Sequence, residues 1–546
     1  MSLHPRFVPD IPEETARIAQ AAFRKGNPYM KMRDELGTFF TDDQFVDLYA
    51  VDGQPAFSPW RLALVCVMQF AENLTDRQAA DAVRSRIDWK YALSLELEDG
   101  GFDYSVLCEF RQRLLTSVNS DRLFSQMLMR FQEVKLLKGR GKQRTDSTHV
   151  MAAIRLLNRL EMVGETLHHA LNEIAVAEAD WLKAWVAPIW FERYGRSFNE
   201  YRLPVADAER DQLTLIIGQD GLRLLQAIYE DPQTPPPLRE LQAVETLRQV
   251  WLQQYYLDDD VLCWRDPQSL PPCAIRIQSP YDVEARYSSK RTTQWVGYKV
   301  HLTETCDDDA PHLITHVETT PGTTQDVEVV ETIHATLAQH ACLPAQHITD
   351  TGYSAASIFV DSQTIYGVDF IAPVRPEHSW QFTEKTGFDA AQFQIDWERK
   401  KVTCPMGKES ASWTPCPPRR GHAIFYILFR ERDCRTCLAK AACTRGKRRS
   451  ISVQERELVE MVAVKRSFQQ TDAYQDLYRL RAGVEGTISQ ATWALGMRRS
   501  RYWGLEKTHL QNVFTAAAIN LTRAVNWLFE KPLSHTRRSR FAALVA

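Results

Sequence analysis

The chain has 546 residues, 44% of them hydrophobic and 25% charged, with a formal net charge of −3 at pH 7. This is ordinary for a globular protein, is long enough for about three or four domain-sized units, and excludes collagen-like and wholly disordered chains. The longest apolar run, Leu62 to Met68, falls far short of the ~18 residues of a membrane helix, and Met1-Ser-Leu-His-Pro-Arg6 holds no apolar signal core, so a cytoplasmic protein is expected. The near-neutral total hides an asymmetry. Residues 417–546 hold 24 basic and 10 acidic side chains, a net of +14, against −17 for the remainder, so the last quarter is the expected polyanion-facing region.

Residues 1–137 read as an all-helical N-terminal domain. Thr75-Asp-Arg-Gln78 is a capping box, and the helix it opens carries Ala79, Ala80, Ala82 and Val83 and is predicted to end near Arg86. Ser105 starts another, with Val106, Leu107, Phe110 and Leu114 at helical spacing. Arg84, Arg86, Arg111 and Arg113 turned outward would suit a helix-turn-helix DNA reader; the other reading is a packing or dimerisation unit. A basic glycine turn, Lys138 to Lys142, leads into a strand over Gln143–Val150. Residues 151–274 are predicted to be a helical insertion, rich in Leu, Ala, Trp, Glu and Gln and showing no chemistry of their own.

From Ile275 the pattern becomes α/β. Gly297–Glu304 alternates as a strand, and His312–Thr319 is its expected hairpin partner across Asp307–Asp309. Asp326–His340 fits a helix, Gln346–Asp350 a short strand, and Asp369–Val374 another. A mixed sheet with flanking helices follows. Residues 376–464 form a Cys-rich insertion containing a strand over Ala423–Phe429. A helix from Thr471 to Thr492 has Tyr474, Leu477, Leu480, Val484 and Ile488 on one face, and a final helix runs over Lys507–Phe529. Residues 531–546 are a basic tail.

Three carboxylates stand out by context: Asp146 inside a strand, Asp350 at a strand end, and Glu485 on a helix above Arg481. Carboxylate oxygens are hard ligands suited to Mg²⁺ or Mn²⁺, and two such ions stabilise the attacking and leaving oxygens of a phosphoryl displacement. Each residue alone also fits a plain role: a turn cap for either Asp, an intrahelical ion pair for Glu485. Cys404, Cys434, Cys437 and Cys443 make a set of four thiols, with Cys416 spare; Cys434-Arg-Thr-Cys437 places two thiolates on one turn, as tetrahedral Zn²⁺ requires, and free thiols are the alternative.

Tyr478-Arg-Leu-Arg481-Ala-Gly-Val-Glu485-Gly-Thr-Ile-Ser-Gln490 followed by Gly496-Met-Arg-Arg-Ser-Arg-Tyr-Trp-Gly504 resembles the C-terminal signature of DDE transposases of bacterial insertion sequences. Thr145-Asp146-Ser-Thr148 and Ile348-Thr-Asp350-Thr-Gly-Tyr353 resemble the segments of the family's first two acidic residues, and residues 40 to 120 its N-terminal domain. Tyr281-Asp-Val-Glu-Ala-Arg286 and Trp295-Val-Gly-Tyr-Lys299 are also similar to its catalytic domain.

The resemblance implies an RNase H-like catalytic domain assembled from residues 138–150, 275–375 and 465–530, with Asp146, Asp350 and Glu485 as a metal-binding triad. It implies Arg481, Arg498, Arg499, Arg501, Tyr478 and Lys299 as DNA contacts, Mg²⁺ or Mn²⁺ as cofactor alongside a structural Zn²⁺, double-stranded DNA as partner, and a homodimer associated with the nucleoid. The implied activity is cleavage and strand transfer at terminal inverted repeats; the alternatives are a nuclease that cuts without joining and a non-catalytic DNA-binding relative. One departure stands out: Thr492 occupies the place, seven residues after Glu485, where the family often carries Lys or Arg.

Overall fold

A ten-residue strand, β1 (Lys142–Met151), is the axis of the main sheet. Along its edge β2 (Arg286–Lys290), β3 (Thr293–Thr305) and β4 (Ile314–Pro321) build an antiparallel half: β3 pairs β1, and β2 and β4 pair successive parts of β3. On the other edge β5 (Gln346–Ile348) and β6 (Asp369–Ile371) are parallel to β1 and to each other. The order β4-β3-β1-β5-β6, antiparallel then parallel, is the expected RNase H-like mixed sheet. This computed structural model describes residues 1–116, 121–376, 379–384, 387–419, 421–532, 541 and 544, so the basic tail lies almost wholly outside the described residues.

Helices sandwich this sheet into one core with the N-terminal region. The Pro59–Ala71 helix is apolar around nearly its whole circumference and buried accordingly. It packs on the Leu505–Leu528 helix, where Phe70 stacks on Phe514 at 5.3 Å between centroids. The other side of that last helix lies on β4, and Asn520 holds both edge groups of Ile314, accepting from its N–H at 2.7 Å and donating to its carbonyl at 2.8 Å. The hydrophobic core therefore runs unbroken from Phe39 and Phe131 through Leu302 to Val525, with no seam at residue 137.

The capping box is present: Thr75 accepts from the Gln78 N–H, and the helix spans Asp76–Ser85. Two of the arginines expected to face outward turn inward instead. Arg111 is buried and clamps Asp76 at 2.5 Å, and Arg86 joins Glu72 to Asp88. Arg113 donates to the Leu48 carbonyl and lies over Tyr49; only Arg84 remains well exposed. The helix spacing was legible, but Asp76, Glu72 and Asp88 make inward arginines the better-satisfied arrangement.

Residues 151–274 enclose a second cluster, with Val163, Leu167, Leu224, Leu247 and Trp251 at its centre. A third, smaller cluster of Phe393, Val402, Ile427, Phe429, Ile451 and Val453 underlies the Cys-rich region, whose strands Ser412–Arg419, His422–Leu428 and Ser450–Gln454 form a separate sheet.

Candidate active site

Alternation along β1 sends Arg144, Asp146 and Thr148 to one face and Thr145 and Ser147 to the other. The first face looks at the C-terminal helices. Arg144 donates to the Leu480 carbonyl at 2.5 Å, Asp146 Oδ2 accepts from Arg481 at 3.0 Å, and Thr148 Oγ1 accepts from Arg498 at 2.9 Å. Arg481 also donates to Glu485 Oε1 at 2.7 Å, so one guanidinium ties the strand carboxylate to the helix carboxylate. Glu485 sits in the first turn of the Ala482–Trp493 helix, where the exposed amide dipoles favour a negative charge. Its side chain is 62% exposed, against 14% for Asp146.

The single helix expected over Thr471–Thr492 is two, Asp472–Arg479 and Ala482–Trp493. The cause is Arg144. Its guanidinium takes the Leu480 carbonyl and stands where a Gly483 side chain would be, and the local bonds shorten to Gly483 N–H to Leu480 and Val484 N–H to Arg481. A side chain inserted into the ladder kinks a helix in this way. Arg144 is in turn fixed by Glu304 on β3, which is fully buried and also accepts from Arg523 at 2.7 Å and Thr487 at 2.5 Å.

Asp350 lies just beyond β5, capping the turn Thr351–Tyr353 by accepting from the Gly352 N–H at 2.8 Å. Burial pushes the Asp146 carboxyl above the usual carboxylate range, and the Asp350 charge adds to that against the pull of Arg481 and Lys290. A fourth carboxylate, Asp326, approaches from the other face of β1: it accepts from Lys299 at 3.1 Å and faces the Ser147 hydroxyl at 3.5 Å. The sequence reading missed Asp326 because it resembles an ordinary first-turn helix acid; the alternation of Lys299 along β3 was the available signal. Lys299 itself is occupied by Asp326 and the Thr324 carbonyl rather than turned to solvent as a DNA contact.

Of the other expected contacts, Tyr478 is half-buried and stacks on Tyr474 at 5.5 Å. Arg498, Arg499 and Arg501 share a loop that hydrogen-bonds along the end of β1, through Met151 N–H to Arg498 and Ser500 N–H to Met151. Arg499 and Arg501 are exposed; Arg501 also pairs with Asn73 and lies over Phe70.

Cys404, Cys434, Cys437 and Cys443 line one small cavity of about 30 Å³, with Cys416 outside it on a strand. Burial raises the Cys443 thiol, and the three neighbouring thiols raise it further. Among the described residues, no group of three or more His, Cys, Asp or Glu side chains is disposed to hold a metal ion as it stands.

Two family models match the chain: a transposase DDE domain over residues 403–525 and a transposase domain (DUF772) over residues 17–113. Both matches are consistent with a DDE transposase of insertion-sequence type. The DDE-domain match takes in the Cys-rich cavity, Arg481, Glu485 and the arginine loop, whereas Asp146 and Asp350 lie between the two matched stretches. No curated protein matches the chain. DDE transposases act on DNA and generally use a divalent metal. The donors here suit such ions in kind: hard oxygens at Asp146, Asp350 and Glu485, and soft sulfurs at the four cysteines. Among the described residues no helix is long and apolar enough to cross a membrane.

Proposed function

We propose that this transposase cuts and rejoins the ends of a mobile element, with Asp146, Asp350 and Glu485 holding Mg²⁺ or Mn²⁺ against the scissile phosphate. The observation that carries the reading is the Arg481 bridge, which joins two carboxylates 339 residues apart in the chain, the first of them also under the influence of the Asp350 charge. Bound divalent ions would supply charge stabilisation for the attacking and leaving oxygens. The chain's own residues do the rest. Arg481 offsets part of the charge of Asp146 and Glu485 in the absence of ions, and its forked cation is equally suited to a DNA phosphate. Arg498, Arg499 and Arg501 line the approach and grip the backbone without reading sequence, so binding weakens steeply with salt. Tyr478 packs on Tyr474, with Arg481 as its side-chain partner and Asp350 and Asp146 among its charged neighbours. The partner is double-stranded DNA, two ends of which a homodimer would hold together, and the four cysteines hold a structural Zn²⁺.

The test is incubation of the purified chain with Mg²⁺ and DNA carrying the sequences that flank its gene. Joined strands are expected, and Asp146→Asn, Asp350→Asn and Glu485→Gln are each expected to abolish them while duplex binding in EDTA persists. Nicks without joined products would instead mark a hydrolytic nuclease, and full activity in any of the three variants would remove that residue from the site.

A further inference from the structure

The residues that no function has yet absorbed lie behind the site. Lys299 and Asp326 come from β3 and from the crossover that follows β4, and they meet on the Ser147 face of β1, opposite the Glu485 helix. Both are largely buried, with side-chain exposures of 16% and 12%. Lys299 donates to Asp326 Oδ1 and to the Thr324 carbonyl at 2.7 Å, which pins the crossover to the sheet. The other oxygen, Asp326 Oδ2, rests against Gly352. A side chain on Gly352 would begin 2.9 Å from it and 2.9 Å from Asp350 Oδ1, closer than real contacts allow. Gly352 is therefore the thin wall between two carboxylates. The next residue, Tyr353, is fully buried and shares a 2.7 Å hydrogen bond with His301 of β3, so the whole Asp350–Tyr353 turn is seated on the same back face.

We infer that Lys299 and Asp326 are a positioning pair that sets where Asp350 stands relative to Asp146. This rests on the proposed role of Asp146 and Asp350 as metal ligands. The physical reason is that Asp350 stands between a three-residue strand and the single turn it caps, too little structure to fix a carboxylate by itself. Its backbone needs a stop. Asp326 supplies one, and Lys299 cancels the charge that would otherwise make a third carboxylate repel the pair. Without the brace the two ligands remain, but their separation is no longer held, and preorganisation of this kind is what a metal site loses first when its supporting residues change.

The experiment uses the full chain and Mn²⁺ alone, titrated and followed by electron paramagnetic resonance, with melting and duplex binding in EDTA measured in parallel. Asp326→Asn and Gly352→Ala are each expected to weaken Mn²⁺ binding at least tenfold, with duplex binding changed less than twofold. Lys299→Arg, which keeps the cation, is expected to stay within threefold of the parent. Mn²⁺ binding that is unchanged in either of the first two variants, even with a lowered melting temperature, would reduce the pair to ordinary packing and overturn the inference. Should Asp326→Asn not fold, Gly352→Ala decides alone, because it keeps Lys299 and both carboxylates in the chain while its Cβ presses on the facing Asp326 and Asp350 oxygens. If the parent chain itself binds no Mn²⁺ while Asp146→Asn behaves identically, the metal-ligand reading falls and takes this inference with it; a parent that binds, with variants that bind equally, sinks the inference alone.

Discussion

Glu304→Gln tests what joins the two halves of the site. Glu304 has no exposed surface and receives Arg144 (2.7 Å to Nε), Arg523 (2.7 Å) and Thr487 (2.5 Å), which belong to β1, the last helix and the Glu485 helix. The amide keeps the shape but removes the charge and turns a donor toward one guanidinium. Removing one partner of a buried pair costs about 3–5 kcal/mol. Both arginines retain other acceptors, Leu480 for Arg144 and the His312 carbonyl and Gln490 for Arg523, so the lower end of that range, about 3 kcal/mol, is expected here. Thr487→Val, which deletes the hydrogen bond to Glu304 and the one Thr487 accepts from Arg523 at 2.7 Å, should cost about 1–3 kcal/mol. Urea unfolding followed by circular dichroism measures both. Glu304→Gln and Arg523→Met should also be non-additive in a double-mutant cycle, since they share one contact. A loss under 1 kcal/mol for Glu304→Gln, or strict additivity with Arg523→Met, would show that the network is decoration and that the kink at Leu480 has another cause.

Two further outcomes follow from the electrostatics and the thiols. Burial alone would lower His509, but its 2.9 Å bond to Asp121 outweighs that and holds it above the ordinary histidine value, while Asp121, despite its own burial, is held below the usual carboxylate range. A raised histidine contributes stability that is complete below its unfolded value of about 6.5 and is lost as pH rises through the folded value, whereas the Asp121 contribution is lost only in acid. The melting-temperature gap between the parent and His509→Gln should therefore shrink from pH 6 to pH 9; a constant gap would contradict the pairing. For the thiols, about one zinc per chain should be released on treatment with a thiol-modifying reagent. Cys437→Ser should lose that zinc and melt earlier while Cys416→Ser does neither, and a metal-free parent would leave the cavity as four free thiols.

The RNase H-like class was legible because it depends on local signals. Alternation and β-branching mark β1 and the hairpin β3–β4, acidic and glycine turns punctuate them, and the capping box fixes one helix start to the residue. What was not legible depends on pairs remote in the chain. Counting arginine as a surface residue is sound on average, yet Arg111 turns inward because Asp76, 35 residues earlier, waits for it. The helix through Leu480 is periodic without fault, and only a guanidinium arriving from Arg144 breaks it. Asp326 looks like any acid in a first helical turn until the crossover is folded over Lys299. Buried charges inside strands were the clue available at the last two places: Arg144 and Glu304 for the helix, and Lys299 for Asp326, sit where a strand normally carries apolar or β-branched side chains.

The missing seam at residue 137 also bears on how DNA would be sensed. The arginine loop is bonded on one side to the end of β1, five residues beyond Asp146, and on the other reaches the N-terminal helices through Arg501, Asn73 and Phe70. Glu284 caps the helix that follows the loop by accepting from the Leu505 N–H at 2.8 Å, and that helix is the shared wall of both regions. Close-packed cores transmit displacement instead of absorbing it. On the proposed function, a backbone phosphate gripped by Arg498 or Arg499 would thus be mechanically connected to the strand that carries Asp146 and to the helices of the matched N-terminal domain. In this molecule the N-terminal region forms part of the wall of the shared core, and β1 is tied to the C-terminal segments at three points along one face, by Arg144 to the Leu480 carbonyl, by Arg481 to Asp146 and by Arg498 to Thr148.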